Sequence, residues 1–258
     1  MQLDAWIAAF IFPLARILGF ISTAPLWGNT GIPWRTRLIL GLSIAVAISP
    51  GLPEMPKVQT GSIESLWILS QQMLIGIAMG FAARLVFTAF NMAGEFIGLQ
   101  MGLGFATFYD PLNSAQTPVI AEFINLITLL MFLSLNGHLL YVATLLKSFS
   151  AIPVSAGALG ADSWLNLAEL GGKIFSVGLL LSLPIIVALM ITNIALAVLT
   201  RAAPQLNIFS LGFPLTLAGG FAALAVSLDY LSQPIQAVFE LALSSMLDFA
   251  VPSTKPAF

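Results

Sequence analysis

The stretch IFSVGLLLSLPIIVALMITNIALAVLT, residues 174–200, contains no charged side chain, and after the single Arg201 a second charge-free run continues from Ala202 to Leu228. Each run exceeds the roughly 20 residues that a helix needs to cross the hydrocarbon core of a bilayer. A spanning segment must satisfy its backbone internally, so runs of this length specify helices in a membrane. The rest of the chain agrees: of 258 residues, 59% are hydrophobic and only 8% charged, far from the composition of proteins that fold in water. The fold class expected is an all-α membrane protein.

Outward from these runs, apolar segments fall at about 5–27, 36–50, 65–90, 123–146, 174–200 and 208–250, which read as six helical spans or hairpin arms. Turn chemistry separates them. Pro25, Gly28, Asn29, Gly31 and Pro33 end the first, and the run from Pro50 to Pro56 ends the second. A break over 151–170, with Pro153, several glycines, Asp162, Trp164 and Glu169, divides the chain into a front part, 1–150, and a rear part, 151–258. The Gly-Phe-Ala recurrence at Gly80, Gly104 and Gly220 has no fixed period and reads as chance. The start of the chain has no basic n-region, and Arg16 interrupts the first apolar run, so a cleaved signal peptide is not expected.

Basic residues give no orientation. Arg35, Arg37 and Arg201 fall on one side of a six-span arrangement, and Lys57, Lys147, Lys173 and Lys255 on the other. Either a span is miscounted, or protein partners rather than lipid surround part of the chain. The last segment raises the same question, because 40 helical residues would run about 60 Å, twice the hydrocarbon thickness. Toward its end Asp229, Gln233, Gln236, Glu240, Ser244 and Asp248 recur at helical spacing, with Leu231, Ile235, Val238 and Ala242 turned elsewhere: an amphipathic tip.

Several function classes drop out. A net charge of −2 with scattered basic residues offers no surface for nucleic acid. Cysteine is absent and there is one histidine, His138, which removes disulfides, thiolate nucleophiles and His/Cys metal sites; no metal and no cofactor are expected. No Gly-rich phosphate loop and no Gly-x-Ser-x-Gly elbow occurs, so the chain does not read as an enzyme. His138 itself, after Asn136-Gly137, sits at a break within an apolar helix.

Gly94, Gly98 and Gly102 stand four apart and stack on one helix face, which lets another backbone approach, as membrane helices do when lipid removes the hydrophobic drive. The plainer reading is a set of glycines that kink the helix. Glu95 lies beside this face. Arg16, Arg84 and Glu95 are intramembrane charges that should face a cavity, a pore or a partner, or else snorkel or pair structurally. Met73, Met79, Met92 and Met101 suit either an adaptable pore lining or ordinary packing. At the corner between the two charge-free runs, Pro204 disfavours helix at Ala203, Asn207 is placed to cap the next helix, and Arg201 sits at a helix C-terminus; this is a helical hairpin.

Between the glycine-rich segment and the next span lies 107–118, whose turn-forming residues forbid a continuous helix. Non-helical backbone at membrane depth is tolerated only where protein buries it or a water-filled cavity hydrates it. Candidate pore or plug residues are therefore Phe105, Phe108, Tyr109, Asp110, Pro111, Leu112, Asn113, Ser114, Ala115 and Gln116, with an ordinary surface connection as the plainer alternative.

Three stretches carry a resemblance. The most specific is Arg201-Ala-Ala-Pro204-Gln205-Leu206-Asn207-Ile208-Phe209, continuing through Gly212-Phe213-Pro214. The second runs from Gly94-Glu95-Phe-Ile-Gly98 through Met101-Gly102-Leu-Gly104-Phe105-Ala106 to Asp110-Pro111, and the third is the looser front pattern of Arg16, Pro25, Pro33 and Arg37. Together they resemble the FliR family of type III export-gate subunits over nearly the whole chain, and Gly212-Phe213-Pro214 is more similar to its flagellar branch than to its virulence branch.

The resemblance implies a core subunit of the flagellar protein-export gate in the bacterial inner membrane, at the flagellar basal body. FliP-like and FliQ-like subunits would surround the passage with it, FlhB and FlhA would supply the cytoplasmic side, and unfolded flagellar proteins would be the cargo in transit. It implies a FliP-like front part, 1–150, with a plug-like loop, and a FliQ-like rear hairpin within 151–258. It also implies that much of the assembled complex stands above the bilayer plane, which would account for the balanced basic residues. The rival is a multi-span secondary transporter of a small solute. Glu95 would suit its midplane site, but the two halves lack the symmetry of inverted repeats.

Overall fold

The computed structural model describes residues 2–29, 31–53, 55–56, 58–59, 61–104, 118–155, 157, 160–203, 208–230 and 232–248. These residues form α1 (Gln2–Thr23), α2 (Trp34–Ile48), a 3-10 turn (Ser49–Gly51), α3 (Ile63–Gln100), α4 (Val119–Ser134), α5 (Gly137–Ala151), α6 (Ala161–Ala202), α7 (Ile208–Leu228) and α8 (Ser232–Asp248), with no strand among them. The protein is an all-α membrane protein. The six apolar segments correspond to eight helices because two segments are each broken once.

The first break falls at Asn136-Gly137. Asn136 adopts the left-handed conformation, φ 55°, which a short polar side chain tolerates and which ends α4. The amides of Leu139 and Leu140 then donate to the Asn136 carbonyl at 2.9 and 3.2 Å and start α5. The second break corrects the expected single helix over 208–250: α7 stops at Leu228, and α8 restarts at Ser232. Each pair bends by more than 40° at its break. The overlong helices are instead α3, with 38 residues, and α6, with 42. At about 1.5 Å per residue they measure about 60 Å, so part of each extends beyond the hydrocarbon. By length and composition α3 and α6 can cross a membrane, and so can each bent pair taken as one span.

The chain forms two compact units, each assembled from separate stretches: 1–86, 132–172 and 239–258 in unit 1, and 87–131 and 173–238 in unit 2. Helices α3, α4, α6 and α8 contribute to both. This partition by contact differs from the division by chain order at 150/151, since residues on each side of that point enter both units.

Unit 1 is organised on a seam between α1 and α3. A Cβ on Gly76 would collide with the carbonyl oxygen of Arg16, one on Gly80 with the Phe20 carbonyl and the Thr23 side chain, and one on Gly19 with the Met73 carbonyl. The two backbones therefore approach over two turns, the small-residue contact by which apolar helices associate in lipid. Thr23 Oγ1 donates to the Ile77 carbonyl at 3.1 Å across the seam. Beside it runs an aromatic chain: Phe20 lies 6.0 Å from Trp27 and 6.2 Å from Tyr141, Tyr141 lies 4.8 Å from Phe132, and Phe132 lies 5.2 Å from Phe239. Offset and edge-on pairs of this kind contribute about 1 kcal/mol each beyond their burial.

In unit 2, small residues again mark the crossings. Gly178 of α6 meets the Ala89 carbonyl and Met92 of α3, Gly220 of α7 meets the Met101 side chain, and the Thr216 hydroxyl lies 3.4 Å from the Met101 carbonyl. Along α8, which runs from unit 2 into unit 1 at 238/239, Ile235, Val238, Ala242 and Met246 are buried, while Gln233, Gln236, Glu240 and Ser244 are exposed.

The seam separates two substitutions of the same type. Gly76→Ala should lower the unfolding midpoint of the chain in mild detergent, because the new methyl group meets backbone that cannot step aside. Gly172→Ala, with nothing within 4 Å of its Cβ, should raise the midpoint, because recovered helix propensity stabilises the helix by up to about 1 kcal/mol. Equal effects at the two positions would remove the seam from this account.

Candidate functional site: glycine contacts and a buried arginine

The three glycines expected to share a face have different roles. Gly94 is buried in α3, and a Cβ there would run into the backbone of Ala121, so α3 and α4 touch backbone to backbone at this point. Gly98 is also buried, but its Cβ would stand 3.8 Å from Ile120, an ordinary contact. Gly102 corrects the expectation: it lies beyond the end of α3 with φ 85°. Its amide donates to the Leu99 carbonyl at 3.0 Å and the Leu103 amide to the Gly98 carbonyl at 3.0 Å. This pair of bonds around a left-handed glycine is the Schellman arrangement that terminates helices.

Arg16 is fully buried, on the α1 face of unit 1. Its Nε donates to Gln72 Oε1 at 2.8 Å, Nη1 to the Ser148 carbonyl at 2.9 Å and to Ser148 Oγ at 3.1 Å, and Nη2 to the Ile152 carbonyl at 2.8 Å. The Ser148 hydroxyl completes its own pairing by donating to the Leu145 carbonyl at 2.6 Å, and the guanidinium carbon stands 4.3 Å from the centre of the Phe149 ring. Ser148 lies in the last turn of α5, and Ile152 follows its end. The Ser148 carbonyl is shared, since it also accepts the Ile152 amide at 2.8 Å. The end of a helix carries the negative end of its dipole, so this end receives a cation. The planar fork reaches several acceptors at once, which an ammonium does not. Arg16 thus fastens α1 to α3 and to the end of α5 through neutral oxygens.

The other singled-out residues are scattered. Arg84 and Glu95 are exposed on α3. Arg37, the second arginine of the front pattern, donates to the Asn29 carbonyl and ties the preceding loop to α2. His138 is half-buried, with Nδ1 buried and taking no hydrogen bond. Met79 and Met101 are fully buried, Met92 is half-buried and Met73 is exposed. At the hairpin corner, α6 ends at Ala202 and α7 begins at Ile208; Arg201 and Pro214 are exposed and Gly212 is buried. Pro204, Gln205 and Asn207 lie outside the described residues, as does the side chain of Phe209. So do all the candidate plug residues: Phe105, Phe108, Tyr109, Asp110, Pro111, Leu112, Asn113, Ser114, Ala115 and Gln116.

The contacts missed in the sequence are those of the seam. Gly76 and Gly80 are four apart, as Gly94 and Gly98 are, so the signal was present; Gly80 instead entered the Gly-Phe-Ala recurrence read as chance. Two members of that recurrence, Gly80 and Gly220, are close-contact points. Among the described residues, no three His, Asp or Glu side chains gather in a way that could hold a metal.

Backbone contacts through glycine and a buried guanidinium received by helix-end carbonyls define the class: a packed helical membrane protein. The chain belongs to the bacterial export proteins, family 1, whose model matches residues 7–242. It is 44% identical over 223 residues to the flagellar biosynthetic protein FliR of Pectobacterium carotovorum subsp. carotovorum, covering 86% of this chain and 85% of that protein. It is 41% identical over 244 residues to FliR of Escherichia coli K12, covering 95% and 93%. With FliR of Bacillus subtilis the identity is 30% over 241 residues, covering 92% and 93%. These similarities agree with the FliR-family resemblance carried by the residues around Arg201, Gly94 and Arg16.

Removing the Arg16 fork should be costly, because each buried acceptor left unpaired costs about 1–3 kcal/mol. Arg16→Leu should lower the thermal unfolding midpoint in mild detergent, followed by tryptophan fluorescence, far more than any exposed substitution. Arg16→Lys should fall between. An unchanged midpoint for Arg16→Leu would show that the fork fastens nothing.

Proposed function

We propose that this chain is a core subunit of the flagellar type III protein-export gate, forming wall and seal of the passage for unfolded flagellar proteins in the bacterial inner membrane, at the flagellar basal body. The observation that carries this reading is the similarity to flagellar biosynthetic proteins FliR over nearly the full length of both chains. The role is one of conduction and support rather than enzymatic chemistry. FliP-like and FliQ-like subunits are the proposed neighbours around the passage, and FlhB and FlhA the components on the cytoplasmic side. In that assembly 1–150 is the FliP-like part, and 151–258 carries the FliQ-like hairpin.

The exposed surface supports an assembled state. Along α6, Leu180, Val187, Ile191, Ile194 and Val198 are all exposed, a continuous apolar strip that a lone chain leaves uncovered. Expressed with its neighbours and extracted in mild detergent, the chain should co-purify with FliP-like and FliQ-like subunits in one stable complex. Recovery as a stable monomer that transports a small solute would favour the secondary-transporter reading instead.

The segment between α3 and α4 is the proposed plug. Gly102 ends α3 before it, and Pro118 immediately precedes α4. Deleting Leu112 to Gln116 should leave assembly intact and increase leakage of ions or small solutes across cells carrying the gate. Normal assembly with an unaltered barrier and normal export would make this segment an ordinary connection.

A further inference from the structure

Gly171 and Gly172 stand side by side well inside α6. A glycine within a helix is accounted for when a neighbour needs the room, and Gly19, Gly76, Gly94 and Gly220 fit that account, because a Cβ at any of them would collide with another element. Gly171 and Gly172 do not. A Cβ on either would meet nothing within 4 Å. Alanine fits at both places and favours helix more, so packing gives no reason for two consecutive residues that weaken one.

Their position supplies a reason. The chain passes from unit 1 to unit 2 between Gly172 and Lys173. Helices α3, α4 and α8 also change unit along their length, at 86/87, 131/132 and 238/239, and none of those three junctions contains a glycine. Before the pair, α6 is held lightly: over 161–172 only Ser163 and Leu170 are buried, while Trp164 and Leu165 are exposed. Beyond the pair, Gly178 lies against the Ala89 carbonyl and Met92 of α3, which fixes the helix there. Side chains three and four residues apart brace a helix surface, and at two consecutive positions there is none to do so. Glu169 and Lys173 are spaced i, i+4 across the glycines, but both are exposed, and such a pair is weak and screened by salt.

We propose that Gly171-Gly172 is a pivot in α6, about which the helical arm 161–170 changes direction while 173–202 keeps its own. Sharp bends in helices need a local cause, and a pair of glycines without packing partners is one. The backbone hydrogen bonds that cross the pair open and close, and the arm on one side and the long apolar segment on the other remain helical. The direction of the arm is then set by what the arm meets and not by the axis of α6. The proposal concerns the chain by itself and does not depend on its export role.

The chain has no cysteine, so pairs of spin labels can be placed without removing a native thiol. Labels on Leu165→Cys and Leu180→Cys, both exposed positions, bracket the pivot and stand about 22 Å apart along a straight helix. Val187→Cys and Val198→Cys, also exposed, form a control pair in the same helix beyond Pro184. In the full chain in mild detergent, the distance distribution across the pivot should be at least about twice as wide as that of the control, and Gly171→Ala combined with Gly172→Ala should narrow it to the control width. Amide exchange on the unlabelled chain, corrected for intrinsic rates, separates a pivot from a fraying end. The amides of 172–176 reach back across the glycines, so they should exchange at least about tenfold faster than those of 166–170, and the double substitution should slow them about tenfold or more. A distribution across the pivot as narrow as the control would show α6 to be a rigid rod and overturn the proposal. So would a broad distribution that the double substitution leaves unchanged, or protection that declines steadily toward Ala161 with no minimum at the glycines.

Discussion

A charge inside an apolar core must be received by something, and in unit 1 the arrangement around Arg16 follows from that demand. The guanidinium lies between α1, the Gln72 region of α3 and the last turn of α5, and each donor points at an oxygen. A carboxylate partner is not required, because the carbonyls at a helix end already carry partial negative charge. For the fork to reach them, α1 must lie close on α3. Gly76 provides that closeness directly, since its missing side chain is what admits the Arg16 carbonyl. The buried charge and the glycine seam are one constraint seen from two sides.

The same logic extends to unit 2 with different materials. There no arginine is buried, and the crossings are held by contact alone: Gly94 on Ala121, Gly178 on the Ala89 carbonyl, Gly220 on Met101. Where apolar side chains gain little by leaving lipid for protein, close packing and hydrogen bonding remain as the sources of association.

Helix ends carry the other structural decisions. Gly102 stops α3 with a left-handed turn, and Asn136 breaks a single apolar run into α4 and α5. Both positions are ordinary in composition. What distinguishes them is backbone conformation, which Gly and Asn adopt at low cost and branched residues do not. These breaks keep long apolar stretches from becoming single rods.

Composition and charge-free length were enough to establish a helical membrane protein, because the cost of an unsatisfied backbone in lipid leaves few alternatives. The motif around Arg201, Pro204 and Gly212 was enough to recognise the family. The position of the Asn136 break was also legible, since Asn-Gly is a turn signal in any solvent. The partner of each glycine was not legible. Gly76 and Gly94 sit in identical four-residue spacings, yet one meets α1 and the other α4, and Gly102 continues the spacing while lying outside the helix altogether. Nor did spacing reveal whether Arg16 would meet a lipid headgroup, a carboxylate or a row of carbonyls. Periodicity specifies which residues share a face of one helix; which second element arrives at that face depends on contacts between residues as far apart in the chain as Arg16 and Ile152, and only the tertiary structure brings those together.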